Sequence, residues 1–173
     1  MNGEKRQAAA FVTEGKPTEA DGMYLRRAIA NAQQSRVAGR HPFSALVVLD
    51  GAIIAEAQSM KTADRDATNH SEMRVLRDAS ATRLPAVLAR ATLYASTEPC
   101  AMCAGALYWA GIGRVVYGLS EHRLRGVTGN HPENPTLDLP CREVFARGQR
   151  PTEVVGPLLE DEAEALHDGV WSK

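Results

Sequence analysis

The 173-residue sequence has no long apolar run and no marked excess of charge of either sign. Twenty lysines and arginines oppose 21 aspartates and glutamates, so no general attraction to polyanions or acidic membranes is expected. No segment is apolar enough to cross a bilayer, and the polar first 22 residues lack the apolar stretch of a signal peptide. These absences favour a cytoplasmic protein with no membrane partner, and they argue against a nucleic-acid partner.

Cysteine is also scarce, with three residues, an odd number. Cys100 and Cys103 are spaced Cys-x-x-Cys, which in a reducing compartment favours metal binding or redox chemistry over a disulfide framework. Cys141 is solitary in its segment and is interpreted as an ordinary buried thiol. Taken alone, the Cys-x-x-Cys spacing is compatible with a redox dithiol, half of a structural zinc knuckle or a catalytic metal site.

A hydrophobic content of 44% in a chain of this length is enough for one domain with its own core. Residues 1–17 show no periodicity and are predicted to form a flexible arm, with a single domain over 18–173. The residue pattern of the first half predicts a helix from Thr18 to near Gly39, an antiparallel hairpin over 44–56, and a helix that begins near His70 and is capped by Thr68 or Asn69. A strand at 93–96, a helix over 100–110 and a strand over 114–119, parallel to the strand before it, are predicted next. The last part is predicted to contain a long loop over 120–140 bordering the pocket, a helix over 141–146, a strand over 152–155 and an acidic helix over 158–167.

Two short motifs at predicted helix starts carry the chemistry. They read His70-x-Glu72 and Pro99-Cys100-x-x-Cys103. Two thiols and one imidazole suit a tetrahedral zinc ion whose fourth position is left to water, which is the pattern of a catalytic site. Glu72 is two residues past His70, so on a helix the two side chains diverge, and Glu72 is better placed to reach a water than to bind the metal.

This combination resembles the zinc-dependent cytidine and deoxycytidylate deaminase superfamily, and within it the branch of guanine deaminases, fungal-type cytosine deaminases and tRNA adenosine deaminases. The resemblance covers roughly residues 20–168. It implies a three-layer α/β/α sandwich with a mixed five-stranded sheet, one Zn²⁺ per chain and a homodimer. It also implies that His70, Cys100 and Cys103 bind the metal, while Glu72 moves protons from water to a ring nitrogen and to the departing ammonia.

The resemblance suggests substrate contacts as well. Ser59 occupies the base-recognition position that is normally Asn, so the polar edge of the base must be recognised differently. Asp168 and Trp171 resemble the closing segment that covers the base in fungal-type cytosine deaminases, although Trp171 could equally pack on its own domain. Trp109 could line the pocket, face a subunit interface or simply pack. The remaining expected contacts are Phe43, Ser71, Glu98 and Pro99, whereas His41, His122, His131 and His167 are interpreted as surface or loop histidines.

The expected activity is hydrolytic deamination of a free nucleobase or analogue, cytosine-, guanine-, isocytosine- or amino-triazine-like, to a carbonyl with release of ammonia. The alternatives are a tRNA adenosine deaminase, a nucleoside or deoxycytidylate deaminase, and a non-catalytic zinc protein. An RNA substrate would require a basic track for phosphates, yet the last predicted helix is acidic. Arg123 and Arg125 are the exceptions, and they could hold a mononucleotide phosphate.

Overall fold

The computed structural model describes residues 11–60 and 66–171. Within them the strands are β1 (Val12–Glu14), β2 (Ser44–Leu49), β3 (Ala52–Gln58), β4 (Thr92–Thr97), β5 (Arg114–Leu119) and β6 (Thr152–Val155). The helices are α1 (Glu19–Val37), α2 (Ser71–Ser80), α3 (Pro85–Leu88), α4 (Ala101–Ala110), α5 (Glu121–Thr128), α6 (Cys141–Ala146) and α7 (Glu160–Glu164), the last followed by a 3₁₀ turn over Ala165–His167. None of the described helices is long and apolar enough to cross a membrane.

The strands form one mixed sheet in the order β1-β6-β5-β4-β2-β3. β2 pairs antiparallel with β3 and with β4, whereas β4, β5, β6 and β1 are mutually parallel along the sheet. The predicted hairpin is confirmed, because Asp50 and Gly51 both take positive φ, as a tight two-residue turn requires. The predicted parallel pairing of the strand over 114–119 with its predecessor is confirmed as well.

Helices cover both faces of the sheet, which confirms the three-layer architecture. On one face, α1 places Leu25 and Ile29 in a core with Leu46 and Val116. On the other face, α2, α4 and α6 pack on strand residues that alternate with those, including Val47 and Val115. The two cores are built from neighbouring strand residues of opposite orientation, as expected for a sheet buried on both sides.

The sheet has six strands among the described residues and not the five expected. The additional strand, β1, lies in the segment predicted to be a flexible arm, and it pairs in parallel with β6. Arg142 on α6 also holds it, through Nε to Glu14 Oε1 at 2.6 Å and Nη2 to Oε2 at 2.9 Å. Three residues are too few for a periodic signal. Residues 1–10 of the predicted arm lie outside the described residues.

Two helix starts show how local side chains set the boundaries. Thr18 and Asp21 form a capping box, with Asp21 N donating to Thr18 Oγ1 and Thr18 N donating to Asp21 Oδ2, so the predicted start of α1 is confirmed. α2 begins at Ser71 with His70 as its N-cap, and the predicted caps Thr68 and Asn69 were wrong. The Thr68 hydroxyl donates instead to Asp66, and its side chain is therefore engaged in the preceding turn.

The predicted loop over 120–140 is helical in its first part. Ser120 caps α5 by accepting a hydrogen bond from the backbone N–H of Arg123. The acidic helix predicted over 158–167 is shorter than expected, because Leu159 has a φ of +57° and the α-helical residues begin after it. The short helix α3 was not predicted.

Candidate active site

The two motifs meet where the helices α2 and α4 begin. β4 ends at Thr97, and Glu98 and Pro99 lead to Cys100, the N-cap of α4, which brings Cys103 into its first turn. His70 is the N-cap of α2. The His70 Nδ1 atom lies 3.6 Å from Cys100 Sγ and 3.5 Å from Cys103 Sγ. Helix N-termini are electropositive, so this junction stabilises thiolates.

These donors fit a zinc ion. Tetrahedral coordination with Zn–S of about 2.3 Å and Zn–N of about 2.0–2.1 Å requires a sulfur–nitrogen separation of about 3.5 Å. The observed separations of 3.5 and 3.6 Å match it. Among the described residues this is the one group of three such side chains with donor atoms within 4.8 Å of one another. Cys141 is fully buried in the core and is not a member of the group.

The proximity of the two thiols shifts their pKa values in opposite directions. The hydrogen bond with Cys103, together with that to His70, lowers the pKa of Cys100 to about 4. The same thiol pair, with burial, raises the pKa of Cys103. A zinc ion held here would be bound by thiolates, so its binding would release protons.

Glu72 lies beside the three donors in the first turn of α2. The residue is 8% exposed, and burial raises the pKa of its carboxyl group. The Ser71 hydroxyl donates to Glu72 Oε2 at 2.9 Å and fixes one carboxylate oxygen. Glu72 and the donors His70 and Cys100 line a cavity of about 400 Å³, a size within the range of about 300–1,000 Å³ that is typical of small-molecule sites.

Four of the suggested substrate contacts line this cavity and four do not. Phe43, Ser59, Ser71 and Glu98 are among its lining residues. The lining does not include Pro99, Trp109, Asp168 or Trp171. Trp109 is 74% exposed on α4, and Asp168 is an exposed residue whose carbonyl accepts a hydrogen bond from Arg36. Trp109 is thus directed to solvent, and Asp168 lies against the end of α1, where Arg36 holds its carbonyl.

Trp171 lies one layer behind the cavity wall. Its ring centroid is 4.7 Å from that of His41 and 6.1 Å from that of Phe43, both of which line the cavity. Its Nε1 donates to Nδ1 of His167, whose ring it stacks on. His167 was expected at the surface, yet it is 2% exposed, and burial lowers its pKa to about 4. Trp171 therefore packs behind two residues of the cavity wall.

Other carboxyl groups of the cavity were not found from the sequence. Glu121 at the start of α5 is 4% exposed, and its carboxyl group has no hydrogen-bond partner among the described residues. Burial, with the charge of Cys100 nearby, raises the pKa of Glu121 to about 8. Glu133 also lines the cavity, 3.0 Å from His41 Nε2. Only the position of Glu121 in the sequence could have indicated its role. Glu121 comes shortly after the parallel strand β5, and ligand sites in such sheets form at the carboxyl ends of the strands.

Glu98 was suggested as a substrate contact, and the structure shows that it also has a structural role. Its Oε2 accepts from the backbone N–H of Glu121 and its Oε1 accepts from the backbone N–H of Cys141, each at 2.9 Å. One buried carboxylate thus satisfies the first N–H groups of both α5 and α6. It anchors the two helices next to Cys100.

Comparison with known proteins agrees with this geometry. The family model of the cytidine and deoxycytidylate deaminase zinc-binding region matches residues 18–119, more than half of the chain. The chain belongs to this deaminase family. A probable cytosine deaminase from Schizosaccharomyces pombe is 41% identical over 154 residues, which span 89% of this chain and 94% of the relative. The chain is therefore an enzyme, a hydrolase acting on C–N bonds, with a zinc-binding domain.

Solved structures of the deaminase family resemble this chain along most of its length. A structure from work on tRNA:A34 deaminases superposes with a TM-score of 0.63 and 28% identity, over 84% of this chain and 99% of the other. Guanine deaminase from Bacillus subtilis superposes with a TM-score of 0.53 and 38% identity, over 61% of this chain and 68% of the other. The expected cytidine deaminase-like fold is thereby confirmed.

Proposed function

We propose that this enzyme hydrolyses the exocyclic amine of a free nucleobase or base analogue, leaving a carbonyl and releasing ammonia. The observation that carries the proposal is the buried Glu72 carboxyl group in the wall of a small-molecule cavity, beside the donors His70, Cys100 and Cys103. The 41% identity to a probable cytosine deaminase and the likeness to a guanine deaminase support a base-like substrate.

The proposed chemistry divides between the metal and Glu72. A zinc ion held by the three donors would lower the pKa of water and so supply a nucleophile at neutral pH. Glu72 accepts one proton from the attacking water and delivers it to the ring nitrogen. It then takes the proton of the hydroxyl group now on the ring carbon and gives it to the amine, so that the carbonyl forms as the C–N bond breaks and ammonia leaves. Burial raises the pKa of Glu72, which favours holding a proton long enough to return it. The Ser71 hydrogen bond holds the carboxylate in a single orientation.

We propose that Ser59 and Phe43 contact the base. The backbone N–H of Ser59 donates to the Phe43 carbonyl at 2.8 Å, so the two cavity-lining residues are held together by the main chain. Phe43 offers a ring for stacking, and Ser59 offers one hydroxyl that can donate and accept. Asp168 and Trp171 do not line the cavity, so this proposal includes no contact of theirs with the base.

Ammonia release by the zinc-loaded enzyme tests this function. We expect turnover with at least one substrate among cytosine, guanine, isocytosine and amino-triazines, and slower or no turnover of their nucleosides and mononucleotides. Ammonia release from none of these compounds, with zinc bound at one ion per chain, would contradict the proposal.

A tRNA adenosine deaminase is the second candidate, because a structure from work on tRNA:A34 deaminases is similar along most of the chain. Binding to RNA through phosphates weakens steeply with salt, by a slope set by the number of phosphates contacted. Titrating an anticodon stem-loop at several salt concentrations separates the two. Tight, salt-dependent binding with inosine formation would favour the RNA substrate.

We also propose that the enzyme is a homodimer. Met102 and Trp109 are seven residues apart on α4 and therefore lie on one face, where Trp109 is 74% exposed. Leu84, just before α3, is also 74% exposed, and α3 packs against α4. Apolar residues grouped in this way on a surface are typical of a protein interface. Because α4 also carries Cys103, an interface there would lie close to the metal centre.

A further inference from the structure

A second cleft lies next to the catalytic cavity, on the other side of its wall. Residues Gln58 and Met60 border this cleft, while Ser59 and Met60 border the catalytic cavity. The strand end from Gln58 to Met60 therefore separates the two. The cleft has a volume of about 340 Å³, and its other lining residues are mostly polar: Arg27, Asn31, Gln34, Arg40, Glu56, Ala57 and Arg74.

The charges of this cleft do not balance. It contains three arginines and one glutamate, and Arg27 already forms both of its hydrogen bonds to Glu56, at 2.8 and 3.2 Å. Asn31 donates to the same carboxylate. Glu56 is thus fully engaged, and among the described residues Arg40 and Arg74 have no carboxylate partner.

The two remaining guanidinium groups contact only backbone carbonyls. Arg74 Nη1 donates to the Gln58 carbonyl at 2.9 Å, and Arg40 Nη1 approaches the Ser59 carbonyl at 3.5 Å. Arg40 Nε is buried and has no hydrogen-bond partner among the described residues. A buried donor on a charged group is costly to leave unpaired, so a site of this kind is completed by an acceptor.

Other arginines near the cavity are already neutralised. Arg125 pairs with Asp138 at 2.8 Å, and Arg123 pairs with Glu160, Asp161 and Glu164. The sequence analysis named these two as candidates for holding a mononucleotide phosphate, and in the structure both already pair with carboxylates. Arg40 and Arg74, in contrast, line the neighbouring cleft without a carboxylate partner among the described residues.

We propose that the cleft is a binding site for a phosphate-type oxyanion, held by the guanidinium groups of Arg40 and Arg74. Planar guanidinium forks match the oxygens of phosphate, and two of them converging on a polar cleft give a charge-assisted site. The same two side chains hold the carbonyls of Gln58 and Ser59. An anion bound there therefore also stiffens the wall that carries the Ser59 side chain.

Binding of inorganic phosphate tests the site without requiring any deaminase activity. Isothermal titration and thermal unfolding of the zinc-loaded protein are measured in phosphate and in chloride at equal ionic strength. We expect saturable binding and a Tm at least about 2 °C higher in phosphate than in chloride. Arg40→Gln and Arg74→Gln are each expected to raise the phosphate Kd at least about tenfold, since each removes a charged donor.

Arg77→Gln is the matched control, because Arg77 lies on the same helix as Arg74, is exposed and pairs with Asp78. It should bind phosphate as the wild type does. Circular dichroism and zinc content verify the fold of each variant. Arg40→Lys and Arg74→Lys replace any variant that fails, and they should raise the phosphate Kd by a smaller factor, because the charge stays and only the guanidinium fork is lost. Phosphate binding no better than chloride, or unchanged in both Arg40 and Arg74 variants, overturns the proposal.

Two sources of this oxyanion, the free ion and a phosphomonoester on the substrate, give different kinetics. This comparison rests on the proposed deaminase function, whereas the binding measurement does not. If the anion is a substrate's phosphate, Arg40→Gln raises KM for a mononucleotide by a larger factor than KM for the free base. If it is a free ion, added phosphate changes kcat/KM for the free base, and Arg74→Gln abolishes that change.

Discussion

Glu72 is the residue on which the proposed chemistry depends, because it lies beside the metal donors without being one of them. Replacing Glu72 with Gln keeps the shape of the side chain and removes its ability to accept a proton. We expect the rate of ammonia release to fall roughly 100-fold or more, while zinc content, measured by mass spectrometry, remains near one ion per chain.

Variants of the three donors provide the contrast for Glu72. Replacing His70, Cys100 or Cys103 with Ala should lose zinc and activity together. Glu143→Gln is a matched control, since Glu143 is an exposed residue in the first turn of α6. A Glu72→Gln enzyme that keeps more than about a tenth of the wild-type rate would rule out the acid–base role.

Ser59 offers the cavity a hydroxyl where relatives in this branch are expected to have an amide. Among residues 11–60 and 66–171, the Ser59 side chain makes only a long hydrogen bond, 3.4 Å, to the Met60 carbonyl, so its hydroxyl is available to a substrate. Ser59→Asn should shift the ratio of kcat/KM values among cytosine, guanine, isocytosine and amino-triazines. The shift should be modest, because one hydrogen bond contributes roughly 0.5–1.5 kcal/mol. An unchanged ratio across the panel would show that Ser59 does not touch the base.

The sequence was informative about residues whose chemistry is carried by spacing. His70, Cys100 and Cys103 could be found because metal ligands must occur as matching types at short separations, and the structure brings them together. Glu98 and Glu121 could not be interpreted in the same way. Their roles depend on three segments, the end of β4 and the starts of α5 and α6, that meet only in the fold.

At the scale of whole elements, Glu98 connects the chain after β4 to two helices. A Gln at this position offers one acceptor oxygen and one NH₂ group, so one of the two backbone N–H groups that Glu98 satisfies would face a donor. We expect Glu98→Gln to lower the free energy of unfolding by about 1–3 kcal/mol. Urea unfolding of the zinc-loaded protein measures this, and Glu143→Gln again serves as the control. A change below about 0.5 kcal/mol would mean that Glu98 does not anchor these helices.

Elements with strong local signals were predictable, and those that depend on distant contacts were not. The capping box of Thr18 and Asp21 and the turn at Asp50 and Gly51 are complete within a few residues, so the start of α1 and the β2–β3 hairpin follow from them. β1 forms only because β6, about 140 residues later, offers a parallel edge. α5 was not predicted, because the glycine, proline and asparagine residues that follow it dominate the composition of the segment 120–140 and indicate a loop.

At the scale of the whole molecule, the buried His167 links stability to pH. Its pKa is lowered from 6.5 to about 4, first because burial disfavours the charged ring and then through Arg36 and His41. Between these pH values the unfolded chain binds more protons than the folded one. The free energy of unfolding should therefore be fully retained above pH 6.5 and should fall as the pH drops towards 4.

His167→Asn isolates this effect, because Asn has a side-chain acceptor for Trp171 but does not titrate. Acid also releases zinc from its ligands in both proteins, so the informative quantity is the difference between their free energies of unfolding. That difference should shrink as the pH falls from 6.5 to about 4. Urea unfolding at four pH values measures it, and a constant difference would exclude His167 as the titrating group.

The proposed dimer is the last property that belongs to the whole molecule, and it rests on the exposed face of α4. Burying Trp109 between two copies would remove a large aromatic surface from water, whereas a carboxylate there would be buried without a partner. Trp109→Glu should therefore convert a dimer into a monomer in sedimentation velocity, with zinc content unchanged. Val37→Glu is the matched control, since Val37 is 78% exposed at the end of α1, on the opposite face of the sheet from α4. A dimer that survives Trp109→Glu, or a wild-type enzyme that sediments as a monomer, would exclude an interface on this face.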